Sequence, residues 1–196
     1  DDCGYGWSAV KGADGREPRL QFVTGDPVSE VNPHYLRFTA AGAGQGFANK
    51  AYDGIFLKKG MDYKVTFYAR CVQYEGENFR VEVRSADDIC ASAEVKAVKP
   101  IPYLPFSDLT IEMKTGVADE KIQAIHEMDK AGRTRCNDWV AYETVLHARK
   151  DAKHAQFVIA LEEAGVVEFD LISMIPGDAV AGVFRKDLFE ALKATT

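Results

Sequence analysis

The four histidines His34, His126, His147 and His154 set the first limit on the chemistry this chain can do. No two stand at the i, i+4 spacing of a helical zinc pair, and no Cys/His cluster accompanies them, so no zinc site is expected. The cysteines Cys3, Cys71, Cys90 and Cys136 contain no Cys-x-x-Cys pair. They are too few for a disulfide scaffold at this length, and spacing leaves their pairing open. A Gly-x-Ser-x-Gly nucleophile signature is absent. Gly42-Ala-Gly-Gln-Gly46 has the look of a phosphate loop but lacks the Lys-Ser/Thr that must follow, so it reads as a flexible surface turn. No EF-hand loop is present. Asp170 lies inside the apolar run from Val166 to Ile175, where an unpaired charge is costly. It either faces solvent or accepts backbone hydrogen bonds, or it serves as a structural calcium ligand. Glycoside cleavage needs two carboxyl groups facing each other across a sugar. The adjacent pairs Asp87-Asp88 and Glu162-Glu163 would, on strands, point to opposite faces.

Binding chemistry is better supplied. Tyr and Trp offer a flat apolar face with a polar edge, which suits sugar rings. The larger aromatics outside the obvious inward rows are Trp7, Tyr35, Tyr68, Tyr74, Tyr103, Phe106 and Trp139. Tyr74, Tyr103 and Phe106 lie near expected loops, where binding residues gather, and are the candidate carbohydrate-binding residues.

Composition narrows the partners. Lys plus Arg number 24 against 30 Asp plus Glu, a net charge of −6. With no dense basic patch, neither nucleic acid nor an anionic membrane surface is an expected partner. The hydrophobic fraction of 46% is enough for a sizeable core in 196 residues. No run of eighteen apolar residues provides a transmembrane helix. The sequence starts at Asp1 without a basic or apolar leader, so a leader is expected to have been removed or the chain to be cut from something longer.

The elements that must position these residues are mostly strands. Tyr63, Val65, Phe67, Ala69 and Cys71 alternate with Lys64, Thr66, Tyr68 and Arg70, and Phe79, Val81 and Val83 alternate with Arg80, Glu82 and Arg84. Trp139 to Leu146, Gln156 to Leu161 and Val166 to Met174 read as further strands. Glu163-Ala164-Gly165 suggests a hairpin between the last two. Arg19 to Thr24, Tyr35 to Thr39 and Gly54 to Leu57 are shorter candidates, and Lys59-Gly60 a turn. Pro100, Pro102 and Pro105 argue for an irregular loop. Asp119 to Met128 fits a helix through Ile122, Ile125 and Met128, or a strand through Ile122, Ala124 and His126. Arg185 to Ala194 carries Leu188, Phe189 and Leu192 on one helical stripe, which must bury against something. Many short strands without βαβ units predict an all-β, two-sheet antiparallel sandwich of jelly-roll type.

Several motifs resemble a known family. Asn32-Pro-His-Tyr-Leu-Arg-Phe38, Asn49-Lys-Ala-Tyr-Asp-Gly-Ile55, Leu57-Lys-Lys-Gly60 and Tyr63 to Arg70 resemble a carbohydrate-binding-like module of galactose-binding-like type. Trp139-Val-Ala-Tyr142 resembles its Trp-x-x-Tyr strand. Asp170-Leu-Ile-Ser-Met-Ile-Pro176, Asp178 and Arg185-Lys-Asp-Leu188 are similar to the join in glycoside hydrolase family 51 α-L-arabinofuranosidases, where an inserted β-sandwich returns to the catalytic barrel. Ala51 stands where that family has Gly, Met174-Ile175 replaces Leu-Phe, and the Pro-rich stretch after Lys99 resembles an insertion.

The resemblance implies a sandwich over residues 1–176, followed over 177–196 by a linker and a short C-terminal helix from the start of the barrel. The chain stops before the family's Phe-Leu-Arg-Phe-Pro-Gly-Gly strand and its two catalytic glutamates. It therefore implies a non-catalytic accessory domain of a hemicellulose-degrading enzyme that trims arabinose. That domain would bind arabinan or arabinoxylan, or alternatively buttress the barrel without binding sugar. The implied partner within the polypeptide is the barrel, and the implied location is extracellular or periplasmic. No cofactor is required. In related modules the aspartate matching Asp170 helps hold a structural calcium.

Overall fold

Alternating apolar residues make sheets with one face to bury, and two such sheets bury them against each other. A computed structural model describes residues 4–86, 88–99, 139–181 and 186–194. Among the described residues the strands are β1 (Trp7–Val10), β2 (Arg19–Val23), β3 (Tyr35–Ala40), β4 (Gly46–Asn49), β5 (Ile55–Leu57), β6 (Asp62–Tyr74), β7 (Asn78–Ser85), β8 (Asp88–Lys96), β9 (Val140–His147), β10 (Ala152–Leu161) and β11 (Gly165–Pro176). The helix α1 spans Lys186–Lys193, within the predicted segment.

One sheet runs β1-β4-β10-β7-β8, with β5 also on β10, and the other runs β2-β3-β11-β6-β9. Each pairing within them is antiparallel. This is the predicted two-sheet sandwich. Its core is aromatic. Phe169 of β11 lies 4.9 Å from Phe47, 5.6 Å from Phe79 and 6.0 Å from Phe67, ring centroid to ring centroid. All four rings are essentially inaccessible to water.

The hairpin predicted at Glu163-Ala164-Gly165 is corrected. β10 pairs with β4, β5 and β7, whereas β11 pairs with β3 and β6, so this turn carries the chain from one sheet to the other. A turn signal is local, but the choice of sheet is not. The turn near Gly42 is present but not a loose one. Gln45 is fully buried, accepting from the Ala41 amide at 2.7 Å and donating to the Arg16 carbonyl at 2.9 Å. The Lys59-Gly60 turn forms as expected, with Gly60 at φ 79°. The Pro-rich stretch and the Asp119–Met128 alternative lie outside the described residues. So do Cys3 and Cys136, while Cys71 and Cys90 are buried free thiols.

Ala51 has φ 52°, in the left-handed region where an L side chain costs about 1 kcal/mol or more. That is the physical reason a glycine suits this turn. Gly54 follows at φ 86°, and a Cβ there would meet the His154 Cα at 2.1 Å. The glycine thus lets β5 close against the bulged start of β10, where Ala152 and Ala155 pair with Leu57 and Ile55.

Candidate functional site

At one end of the sandwich the first strands and the last strand converge around a cleft of about 600 Å³. The floor is apolar: Ile55, Met61, Ile172 and Met174 line it while packing on the core. Trp7, from β1, forms a wall and leans on Phe47 with centroids 5.6 Å apart. Phe56 is the middle residue of β5, between inward-turned neighbours, so its ring faces out and is 50% exposed. The Tyr63 ring is buried, and its hydroxyl accepts the Lys58 amide at 2.9 Å. The polar lining comes from Asn49, Lys58, Asp178 and Lys186. Asn49 Oδ1 accepts the Ala51 amide at 2.8 Å, which fixes the turn at residues 51–53. The Lys50 amide donates to the Gly6 carbonyl at 3.2 Å, so Tyr5 and Tyr52 sit on neighbouring segments near this rim, 64% and 89% exposed. Aromatic faces beside a few convergent polar groups, at this volume, describe a small-ligand site.

The sequence candidates are distributed differently. Tyr74 is corrected: it is 3% exposed and belongs to the core. Strict alternation along β6 would turn it outward. An extra residue at Val72 shifts the register, since Val166 pairs with Gln73 and Val167 with Cys71, and rotates Tyr74 inward. Its ring stacks on Phe79 at 5.7 Å, and its hydroxyl donates to the Asn78 carbonyl at 2.6 Å and accepts the Glu162 amide at 3.1 Å. Tyr103 and Phe106 lie outside the described residues. Asp170 is 4% exposed, with Oδ2 accepting the Val28 amide at 3.0 Å and Oδ1 the Leu171 amide at 2.7 Å. Both of its oxygens are thus engaged by backbone amides. Among the described residues no group of three His, Cys, Asp or Glu side chains is placed to hold a metal ion. Trp7 was among the aromatics the sequence offered. Phe56 was not, although its place inside a three-residue strand was the available signal.

Burial of Tyr74 has a measurable consequence. Burial pushes its hydroxyl up to about 12 from 10.0, and likewise pushes the Cys71 thiol up to about 11 from 9.0. Each group holds its proton more tightly folded than unfolded. Its contribution is complete below the unfolded value and is lost as pH rises through the folded one. Stability should therefore decline between about pH 9 and 12, and Tyr74→Phe should remove the upper part of that decline. At neutral pH the same variant leaves the Asn78 carbonyl and the Glu162 amide short of a partner, and should cost about 1–2 kcal/mol in urea unfolding.

A second cluster lies on the outward face of the five-stranded sheet. Glu168, 1% exposed, receives Arg37 Nε at 2.7 Å on one oxygen and Arg70 Nε at 2.7 Å on the other. Arg70 also bonds Asp26 at 2.5 Å and lies 4.6 Å from the Trp139 ring centroid. Burial works against the Arg70 charge, but the bonds from Asp26 and Glu168 outweigh it and hold its pKa above the usual value. The Trp139 indole donates to the Asp26 carbonyl at 3.0 Å. These charges satisfy one another, which is the pattern of a structural network. On the other sheet the fully buried Glu82 accepts Arg84 Nε on one oxygen at 2.5 Å, while its other oxygen lies 2.6 Å from Arg80 Nε as an ion pair without hydrogen-bond alignment. The two buried glutamates face away from each other on opposite sheets, and Asp178 is the single acid lining the cleft. Among the described residues no carboxylate pair spans the cleft as glycoside cleavage requires.

No protein-family model matches the chain, and no curated protein resembles it in sequence. Solved structures do share its shape. The module pair CBM22-1–GH10 of Clostridium thermocellum xylanase 10B, solved with xylohexaose, is 14% identical at TM-score 0.48, over 89% of this chain and 27% of that one. A Stig cyclase of Fischerella sp., solved with an indole ligand, is 12% identical at TM-score 0.49, over 89% and 86%. The enzymatically active domain of bacteriophage CBA120 tailspike protein 4 is 10% identical at TM-score 0.51, over 88% of this chain and 19% of that one. Carbohydrate-binding modules recur among the similar structures. At these identities the likeness is one of fold, and a fold hosts many functions, so function must be argued from the site.

Proposed function

We propose that this chain is a non-catalytic accessory domain that binds carbohydrate at the cleft between β1, β5 and β11. The observation that carries this reading is the meeting of Trp7 and Phe56 with Asn49, Lys58, Asp178 and Lys186 around one open volume of about 600 Å³. A sugar ring presents an apolar face to an aromatic wall and hydroxyls to polar side chains, and this lining supplies both. The motif resemblance makes the finer reading an α-L-arabinofuranosidase domain that holds arabinan or arabinoxylan chains outside the cytoplasm or in a periplasm, next to its own barrel.

A second reading is favoured by one observation. A third of the residues lining the cleft, Ile172, Met174, Pro176, Asp178 and Lys186, belong to the returning segment, which is where the resemblance places the join to a barrel. On α1 Leu192 is 62% exposed. A barrel seated on the cleft would bury both, and the domain would then be a buttress.

Calorimetric titration with arabino- and arabinoxylo-oligosaccharides, with calcium and with chelator, separates these readings. Saturable binding is expected, and Phe56→Ala should weaken it by about 1 kcal/mol or more, roughly fivefold, without unfolding a domain in which that ring is half exposed. The calcium arm tests Asp170 directly. A folded chain that binds none of the sugars would overturn the first reading in favour of the buttress.

A further inference from the structure

Resting on the cleft reading, we infer that the ligand is a saccharide bearing a carboxylate, that is, a uronic-acid-substituted chain. The cleft lining carries two cationic side chains and one anionic one, Lys58 and Lys186 against Asp178, in a chain whose net charge is −6. The two lysines come from opposite ends of the sequence, one after β5 and one opening α1, and meet at one volume. Three lysines elsewhere are paired with acids, Lys11 with Glu17, Lys64 with Glu143 and Lys150 with Asp88, whereas Lys50, Lys59, Lys96 and Lys153 form no ion pair with a described residue. Neither Lys58 nor Lys186 forms an ion pair with a described residue, although Asp178 lines the same cleft. Lys58 is held in place by its backbone, because its amide donates to the Tyr63 hydroxyl and the next amide, of Lys59, donates to Asp151 at 2.8 Å. Asn49 spends its Oδ1 on Ala51, which leaves its amide hydrogens for a ligand oxygen.

The cleft is thus rich in donors and poor in acceptors. Neutral sugar hydroxyls call for both in similar measure. A carboxylate calls for donors and positive charge, and Trp7 and Phe56 supply the ring contact that a bare anion would not use. Because lysine acts as a mobile point charge rather than a planar fork, the preference should be electrostatic and salt-sensitive.

The test uses the full chain. It is titrated with a glucuronate-substituted xylo-oligosaccharide, with the unsubstituted oligosaccharide of the same length, and with inorganic phosphate, each at low and high salt. The substituted sugar should bind about tenfold tighter at low salt, an advantage that shrinks as salt rises. Lys58→Gln and Lys186→Gln should each reduce the ratio of acidic to neutral affinity, with thermal unfolding checking that both variants fold. Equal binding of the two sugars overturns the charge inference and leaves the cleft reading standing. Binding of neither overturns both. Phosphate binding as tight as the acidic sugar would mean an anion site without saccharide selectivity, which also overturns the inference.

Discussion

Glu168→Ala should destabilise the chain by about 3–5 kcal/mol, because it removes the buried carboxylate that two arginines share. Glu168 is 1% exposed and each of its oxygens holds an arginine. The two arginines do not suffer equally. The Arg37 side chain is 42% exposed and can turn to water, whereas that of Arg70 is 16% exposed and lies against Trp139. Without Glu168, Arg70 still bonds Asp26 at 2.5 Å but loses the more deeply buried of these two carboxylates. Arg37→Ala should therefore cost less than Glu168→Ala, and Glu168→Gln should fall between them, since it keeps the volume and one acceptor. Urea unfolding with an unchanged m-value, followed by Trp139 fluorescence, reads all three. A loss below about 1 kcal/mol for Glu168→Ala would mean the network contributes no more than a surface ion pair does.

The residues most legible in the sequence were those whose strands alternate strictly. Tyr63 to Cys71 and Phe79 to Val83 bury the faces their period assigns, and Glu168 and Asp170 fall outward of Val167 and Phe169 as a period of two requires. Strands that do not alternate were not foreseen. β4, Gly46–Asn49, is buried at three successive positions, and β8, Asp88–Lys96, is filled with small residues that give no period. β1 is four residues long and exposed at its two middle positions. Bulges set the other limit. A single extra residue at Val72 reverses the facing of everything beyond it, and so a tyrosine predicted near a loop became a core residue. The cleft was beyond sequence reading for a different reason. Its walls come from β1, β5, β6, β11 and α1, and no local pattern states that Trp7 and Lys186 meet. What the sequence could state was residue type: Trp7 as an aromatic outside the inward rows, and Asp178 as part of the motif at the join.

Phe169→Ala should be the second large loss, about 3–5 kcal/mol, and for a reason opposite to that of its neighbour Glu168. The two are consecutive on β11, so one points into the sandwich and the other away from it. Phe169 is fully buried and touches rings from both sheets: Phe47 of β4 and Phe79 of β7 in one, Phe67 of β6 in the other. Truncation removes the transfer free energy of the ring and opens a cavity where three edge-to-face or tilted contacts met, each worth about 0.5–1.5 kcal/mol beyond the area buried. The surrounding rings are themselves held by pairing across both sheets, so the site cannot collapse to fill the space. Phe169→Leu keeps most of the volume and should lose less than half as much. Salt separates this loss from that of Glu168→Ala. The Phe169→Ala loss should be indifferent to ionic strength, whereas the network around Glu168 reaches half-exposed Arg37 and should respond to it. If Phe169→Leu proved as stable as the unmodified chain, the ring contacts would contribute nothing beyond bulk, and the aromatic cluster would not be what joins the two sheets.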